Sequence, residues 1–174
     1  MALIKTVRDK TPQIAADVFI AENATIIGDV VIDQGSSVWY NVVIRGDVNY
    51  IKIGQNTNIQ DNTTIHATFQ KYPTVIGNNV TIGHNAIIHA CRIEDYVLVG
   101  MGAIIMDNAL VQKGAIIAAG AVVTPGTIVE PYSLYAGMPA RKIKSLDKDK
   151  ALQEISQYAQ NYMRYTTWYK GKND

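Results

Sequence analysis

The strongest constraint on this 174-residue chain is a period of six. Aliphatic residues stand six apart at Ile14, Ile20, Ile26, Ile32, Val38 and Ile44, slip, and resume as Ile53, Ile59 and Ile65. They recur as Ile76, Ile82 and Ile88, and then as Ile93, Val99, Ile105, Val111, Ile117, Val123 and Val129. A helix with 3.6 residues per turn cannot keep one face buried at this period, whereas a short strand followed by a tight corner can. The corners need small or turn-prone residues, and "IG", "GD", "GQN", "GNN", "GA" and "PG" supply them. The expected fold is an all-β solenoid with one inward aliphatic per side of a prism.

Composition agrees with one globular domain, with 48% hydrophobic and 18% charged residues. A formal charge of +1 gives no basic surplus for neutralising phosphates, so nucleic acid is excluded as a partner. The opening "MALIKTVRDK" lacks the apolar stretch of a signal peptide, and no segment reaches bilayer-spanning length, so no membrane association and a cytoplasmic location are expected. The single cysteine, Cys91, excludes an internal disulfide. Over residues 147 to 170 the period changes: Leu152, Ile155, Tyr158, Tyr162, Tyr165 and Tyr169 recur at helical spacing. This divides the chain into a β-helix domain, 1–140, and a segment, 141–174, whose α-helix packs on the solenoid or on a neighbouring subunit.

The repeats, over roughly residues 11 to 140, resemble the left-handed parallel β-helix of the hexapeptide-repeat superfamily, and "YAGMPAR", 135 to 141, resembles the segment with which such proteins leave their last coil. The left hand, opposite to ordinary crossovers, and a triangular section of three hexads per coil are what the resemblance implies. The chain has three histidines to place on such a prism, His66, His84 and His89. The gap from Ile65 to Ile76 is one hexad plus a five-residue insertion, expected to protrude. With it removed, Ile65 and Ile88 are three hexads apart, so His66 and His89, each directly after its aliphatic, stack in one column. Strands lie about 4.8 Å apart, so both imidazoles can reach one ion at a Zn–N distance of about 2.0 to 2.1 Å. His84 lies one corner earlier, on the order of 15 Å away along the strand. The superfamily's habit of packing three prisms side by side offers a second chain to supply it, making a homotrimer with shared sites. Arg45 joins the His66/His89 column, while Gln60 and Asp61 join the corner of His84. Arg45 and Asp47 on one corner and Gln60 and Asp61 on the other are then placed to bond across the subunit boundary.

"RGD" at 45 to 47, "QD" at 60 and 61, and the three histidines together resemble the γ-class carbonic anhydrases, in their compact bacterial branch. The resemblance implies Zn2+, or another divalent ion such as Fe2+ or Co2+, bound by His66, His84 and His89 between subunits. It implies that Gln60 bonds the metal-bound water or substrate and that Arg45, Asp47 and Asp61 join the chains. The reaction implied is reversible hydration of carbon dioxide to bicarbonate by a metal-bound hydroxide. Two departures stand out: where active members place glutamates for proton transfer, this chain has Val48 and "ATFQKYPT". A slow enzyme fits this pattern.

Several readings stay open at this stage. Tyr135 either brings a hydroxyl near the site or caps the solenoid, and Cys91 is either a soft ligand or a small core residue. Gln60 can serve only corner backbone groups, and Arg45, Asp47 and Asp61 can serve only to tie subunits together. The same prism also hosts acyltransferases that use acetyl-CoA and one interfacial histidine as general base, and a catalytically silent metal-binding trimeric scaffold is a third class.

Overall fold

A computed structural model describes residues 1–169 of the chain. The hexads form a parallel β-solenoid with three faces. The first face stacks the leading halves of Thr25–Ile32 and Val43–Ile53, followed by Thr64–His66, Ile87–His89, Ile104–Ile105 and Val122–Val123. The second stacks Gln13–Ile14, the trailing halves of the same two long strands, Thr74–Ile76, Arg92–Ile93, Leu110–Val111 and Ile128–Val129. The third runs from Phe19–Ile20 through Ser37–Val38, Asn58–Ile59, Thr81–Ile82, Leu98–Val99 and Ile116–Ile117 to Ser133–Ala136.

Each counted aliphatic from Ile26 onward points into the prism and is at most 2% exposed. Ile14 and Ile20, in the first coil, are only partly buried and pack against the end of that core. Between the short strands the chain turns through left-handed backbone, φ +54° to +62°, at Asn41, Asn56, Asn62, Asn79, Asn85 and Asn108. Asparagine tolerates that region because its short side chain bonds nearby backbone. Stacked corner to corner, these turns fix which residues fall in one column.

The two long slips in the count, after Ile44 and after Ile65, become two structures on one side of the prism. Between Ile44 and Ile53 the long strand bulges, with register shifting from the Gly28–Gly46 pair to the Val30–Ile51 pair. Here the coils approach so closely that a Cβ on Gly46 would sit 2.5 Å from the carbonyl oxygen of Asp29. The insertion after Ile65, expected to protrude, instead folds back on that bulge. Asn49 donates its amide to the Thr68 carbonyl at 3.2 Å, Ala67 is buried, and Arg8 lies 5.7 Å from the ring centre of Phe69.

After the last coil, Arg141–Ser145 returns antiparallel on Ser133–Ala136, a closing hairpin that the period-six count does not foresee. The helix spans Lys148–Thr166, capped by Asp147, whose carboxylate accepts from the Lys150 amide at 2.9 Å. The expected end at Lys170 lies outside the described residues. Its buried side is Ala151, Ile155, Ala159 and Thr166, and it lies against the third face at Ser37–Val38 and Thr81–Ile82. The expected stripe was too broad: Tyr158 is exposed. Small side chains let the helix lie close to the sheet, and bulky rings serve its margin. Among the described residues no helix is long and apolar enough to cross a membrane.

Candidate metal centre

Parallel pairing sets Ile65 against Ile88 and His66 against His89 on successive coils of the first face. His66 Nδ1 and His89 Nε2 face each other at 3.3 Å. Two nitrogens each about 2.0 to 2.1 Å from one ion at a tetrahedral angle stand about 3.3 to 3.4 Å apart, so this pair has the spacing of one edge of a zinc coordination tetrahedron.

The other ring nitrogen of each histidine is taken. His66 Nε2 lies 3.0 Å from Asp47 Oδ1, and His89 Nδ1 lies 2.6 Å from Asp107 Oδ1. At the far corner of the first face, His84 Nδ1 lies 2.9 Å from Asp61 Oδ2. A carboxylate that accepts one imidazole N–H fixes the tautomer and leaves the opposite nitrogen as a ligand lone pair. Three histidines in this chain therefore carry the same preparation, two on one corner and one on the next.

The supporting groups lock the carboxylates in turn. Arg45 Nη1 donates to Asp47 Oδ2 at 2.6 Å, and the Thr68 hydroxyl donates to Asp107. Partial burial works to raise the Asp47 carboxyl, but hydrogen bonds from Arg45 and His66 outweigh it and hold it below the ordinary carboxylate value. Asp107 follows the same pattern, with Thr68 and then His89 overcoming burial. Burial lowers the His66 imidazole; the hydrogen bond to Asp47 opposes this, while the charge of Arg45 and neighbouring His89 add to it. The net effect favours the neutral ring that a metal requires.

Gln60, directly after Ile59 on the third face, is buried and donates its amide to Asn58 Oδ1 at 3.1 Å. It shares the corner of Asp61 and His84. Within one chain Asp47 and Asp61 are thus engaged with their own histidines, a nearer use than the expected bonds across a subunit boundary. Among the described residues, no three His, Cys, Asp or Glu side chains of one chain converge on a point.

Two residues left open by the sequence lie in the core. Tyr135 pairs with Ile117 and packs in the core cluster, 7% exposed. Cys91 is buried in the core, its thiol pushed up to about 12 by burial, against a hydrogen bond from the His89 backbone and with a smaller upward push from Asp107. It packs and does not face the site. Asp107 and Thr68 were missed. The aliphatic step from Ile88 to Ile93 is five residues, not six, and following that slip stacks Ile105 on Ile88 and leaves Asp107 beside His89. Thr68 lies in the insertion, where no repeat count applies.

Comparison with known proteins places the chain in a family. Residues 11–167 match the family model described as dynactin subunit 5. Gamma carbonic anhydrase 2, mitochondrial, of Arabidopsis thaliana is 43% identical over 98% of the chain, which spans 63% of that protein's length. The carbonic anhydrase of Geobacillus kaustophilus is 47% identical, covering 97% of this chain and 91% of its own. Among solved structures, a hexapeptide transferase family protein from Anaplasma phagocytophilum superposes with a TM-score of 0.91 at 40% identity, covering 97% of this chain and 98% of the other. By fold and by near full-length identity, the chain belongs to the γ carbonic anhydrase family of hexapeptide-repeat proteins.

Proposed function

We propose that the protein is a zinc-dependent, γ-class carbonic anhydrase that hydrates carbon dioxide reversibly at metal sites shared between the chains of a homotrimer. The observation that carries this reading is the common preparation of the three histidines, each with one ring nitrogen bound to a carboxylate and the other left over. His66 and His89 offer two ligands from one corner, and a neighbouring chain's copy of the His84 corner offers the third. Zinc supplies, when bound, a water acidified from a pKa of about 15.7 to near 7, and hence hydroxide for attack on carbon dioxide.

The chain's own residues do the rest. Asp47, Asp61 and Asp107 hold the imidazoles in one tautomer, and Arg45 and Thr68 hold two of those carboxylates. Gln60, its amide steadied by Asn58, is the neutral hydrogen-bonding group beside His84, suited to orient a carbon dioxide or bicarbonate oxygen. No carboxylate stands at Val48 or in the 67–75 loop to carry a proton away, so proton export falls to buffer in solution and turnover is slow. An acyltransferase needs one histidine as general base; it does not need three with matched carboxylates. Metal analysis of the purified protein with a stopped-flow hydration assay tests the proposal. About one zinc per chain and hydration that chelation abolishes support it, whereas acetyl-CoA binding with no stoichiometric metal overturns it.

A further inference from the structure

The insertion after Ile65 touches the metal corner at both of its ends. Near its start, the Thr68 hydroxyl donates to Asp107 Oδ2, and the other oxygen of that carboxylate lies 2.6 Å from His89 Nδ1. At its close Thr74, fully buried, donates its hydroxyl to the main-chain carbonyl of His66. One short loop thus reaches both stacked histidines, one through its carboxylate and the other through its backbone. The loop is tied to itself: the Thr68 amide donates to the Tyr72 carbonyl at 2.9 Å, and the Lys71 amide to the Thr68 carbonyl at 3.3 Å. The bulge of the preceding coil ties it down. There the Gln70 amide reaches the Val48 carbonyl at 3.5 Å, a long bond, and the Asn49 side-chain amide donates to the Thr68 carbonyl at 3.2 Å. The orientation of Asn49 is set, because its Oδ1 accepts the Tyr50 amide at 2.9 Å and leaves its NH2 group for Thr68.

A chain of hydrogen bonds therefore runs from Asn49 through Thr68 and Asp107 to His89. Asp107 is about a third exposed along its side chain, and the terminal torsion of an aspartate is soft, so one histidine contact alone would leave its carboxylate free to turn. A second donor on the opposite oxygen stops that rotation, provided the donor is itself in place, because hydrogen bonds weaken steeply off line. We infer that Asn49 is a positioning residue for His89: it seats the insertion loop, the loop aims the Thr68 hydroxyl, and the hydroxyl fixes Asp107 against the imidazole. The inference deepens the metal-site reading and takes its purpose from it, but the bonds belong to the metal-free chain and are tested there.

The tautomer of His89 is the readout. With nitrogen-15-labelled histidine, long-range proton–nitrogen spectra of the metal-free protein at pH 8 separate Nδ1–H from Nε2–H in each imidazole, and His84, bonded to Asp61 on another corner, is the internal control. The unaltered protein should show the His89 proton on Nδ1. Asn49→Leu and Thr68→Val should each let His89 pass into a mixture of both tautomers, whereas Thr68→Ser, which keeps the hydroxyl, should not. In the Thr68→Val background Asn49→Leu should add nothing, because the hydroxyl through which it acts is gone. Zinc affinity, read by competition with a chelator, should fall about 3- to 10-fold in Asn49→Leu. A His89 tautomer unmoved by Asn49→Leu overturns the proposal, and so does an equal change at His84, which would mean a general loosening. Should the leucine variant fail to fold, Asn49→Asp, which still accepts from the Tyr50 amide but cannot donate to Thr68, carries the same prediction. The expected tautomer changes in a protein that binds no zinc would support the positioning role and overturn the metal reading alone.

Discussion

Asp107 does for His89 what Asp47 does for His66 and Asp61 for His84, and of the three it is the one most firmly bound, at 2.6 Å with Thr68 behind it. Replacing it with asparagine keeps the shape and removes the charge that makes the imidazole a good donor to a metal. Asp107→Asn should lower zinc affinity about 10- to 100-fold, read by competition with a chromogenic chelator, while the exposed Asp33→Asn leaves it unchanged. The same corner sets a pH dependence. The His66 imidazole is lowered in the fold, so as pH falls the unfolded chain takes this proton first. Its contribution to stability is complete above the free-imidazole value of about 6.5 and is lost as pH falls toward and through the folded value. Asp47 and Asp107, also lowered, contribute above about 3.8 and lose that contribution as pH falls through their folded values. The chelator-treated protein should therefore melt lower at pH 5.5 than at pH 7.5, by a margin that shrinks in His66→Gln.

At the scale of elements, strands and helix were legible to different degrees, for physical reasons. A core strand here is two or three residues with one inward aliphatic, and Ile or Val at that position is a signal no other packing produces at period six. The helix was found by its period, and its contact side in part: Ile155 is buried in it and Tyr162 packs on Trp39, but Tyr158 faces outward and the small residues of the contact were not foreseen. Large residues carry the amphipathic signal, whereas the surface that touches the sheet is made of Ala151, Ile155, Ala159 and Thr166, whose small members are neutral in any such count. Ile155, fully buried, is the one large side chain in that contact. Ile155→Ala should cost about 2 to 4 kcal/mol in denaturant unfolding, and Tyr158→Ala, on the exposed side, less than about 0.5 kcal/mol. Equal costs would mean that the helix docks on its aromatic side instead.

The whole molecule is a ruler that turns sequence spacing into spatial columns, so most of the site could be read before any coordinates. His66 with His89, Arg45 above them, and Asp61 beside His84 all follow from counting hexads. What the count missed sits at its irregularities: Asp107 beyond the five-residue step after Ile88, Thr68 inside the insertion, and the closing hairpin beyond the last coil. The same ruler keeps His84 a full face away from the other two histidines, so a three-imidazole site requires two chains. His66→Ala and His84→Ala, unfolded together in equal amounts and reassembled, test this directly. Each variant alone has lost one ligand at every site, but a cyclic trimer that mixes them has one boundary where an intact His66/His89 corner meets an intact His84. Over random reassembly about a quarter of all sites should regain zinc and carbon dioxide hydration. Mixed trimers verified by mass spectrometry that hold no more zinc than the separate variants would contradict the shared site.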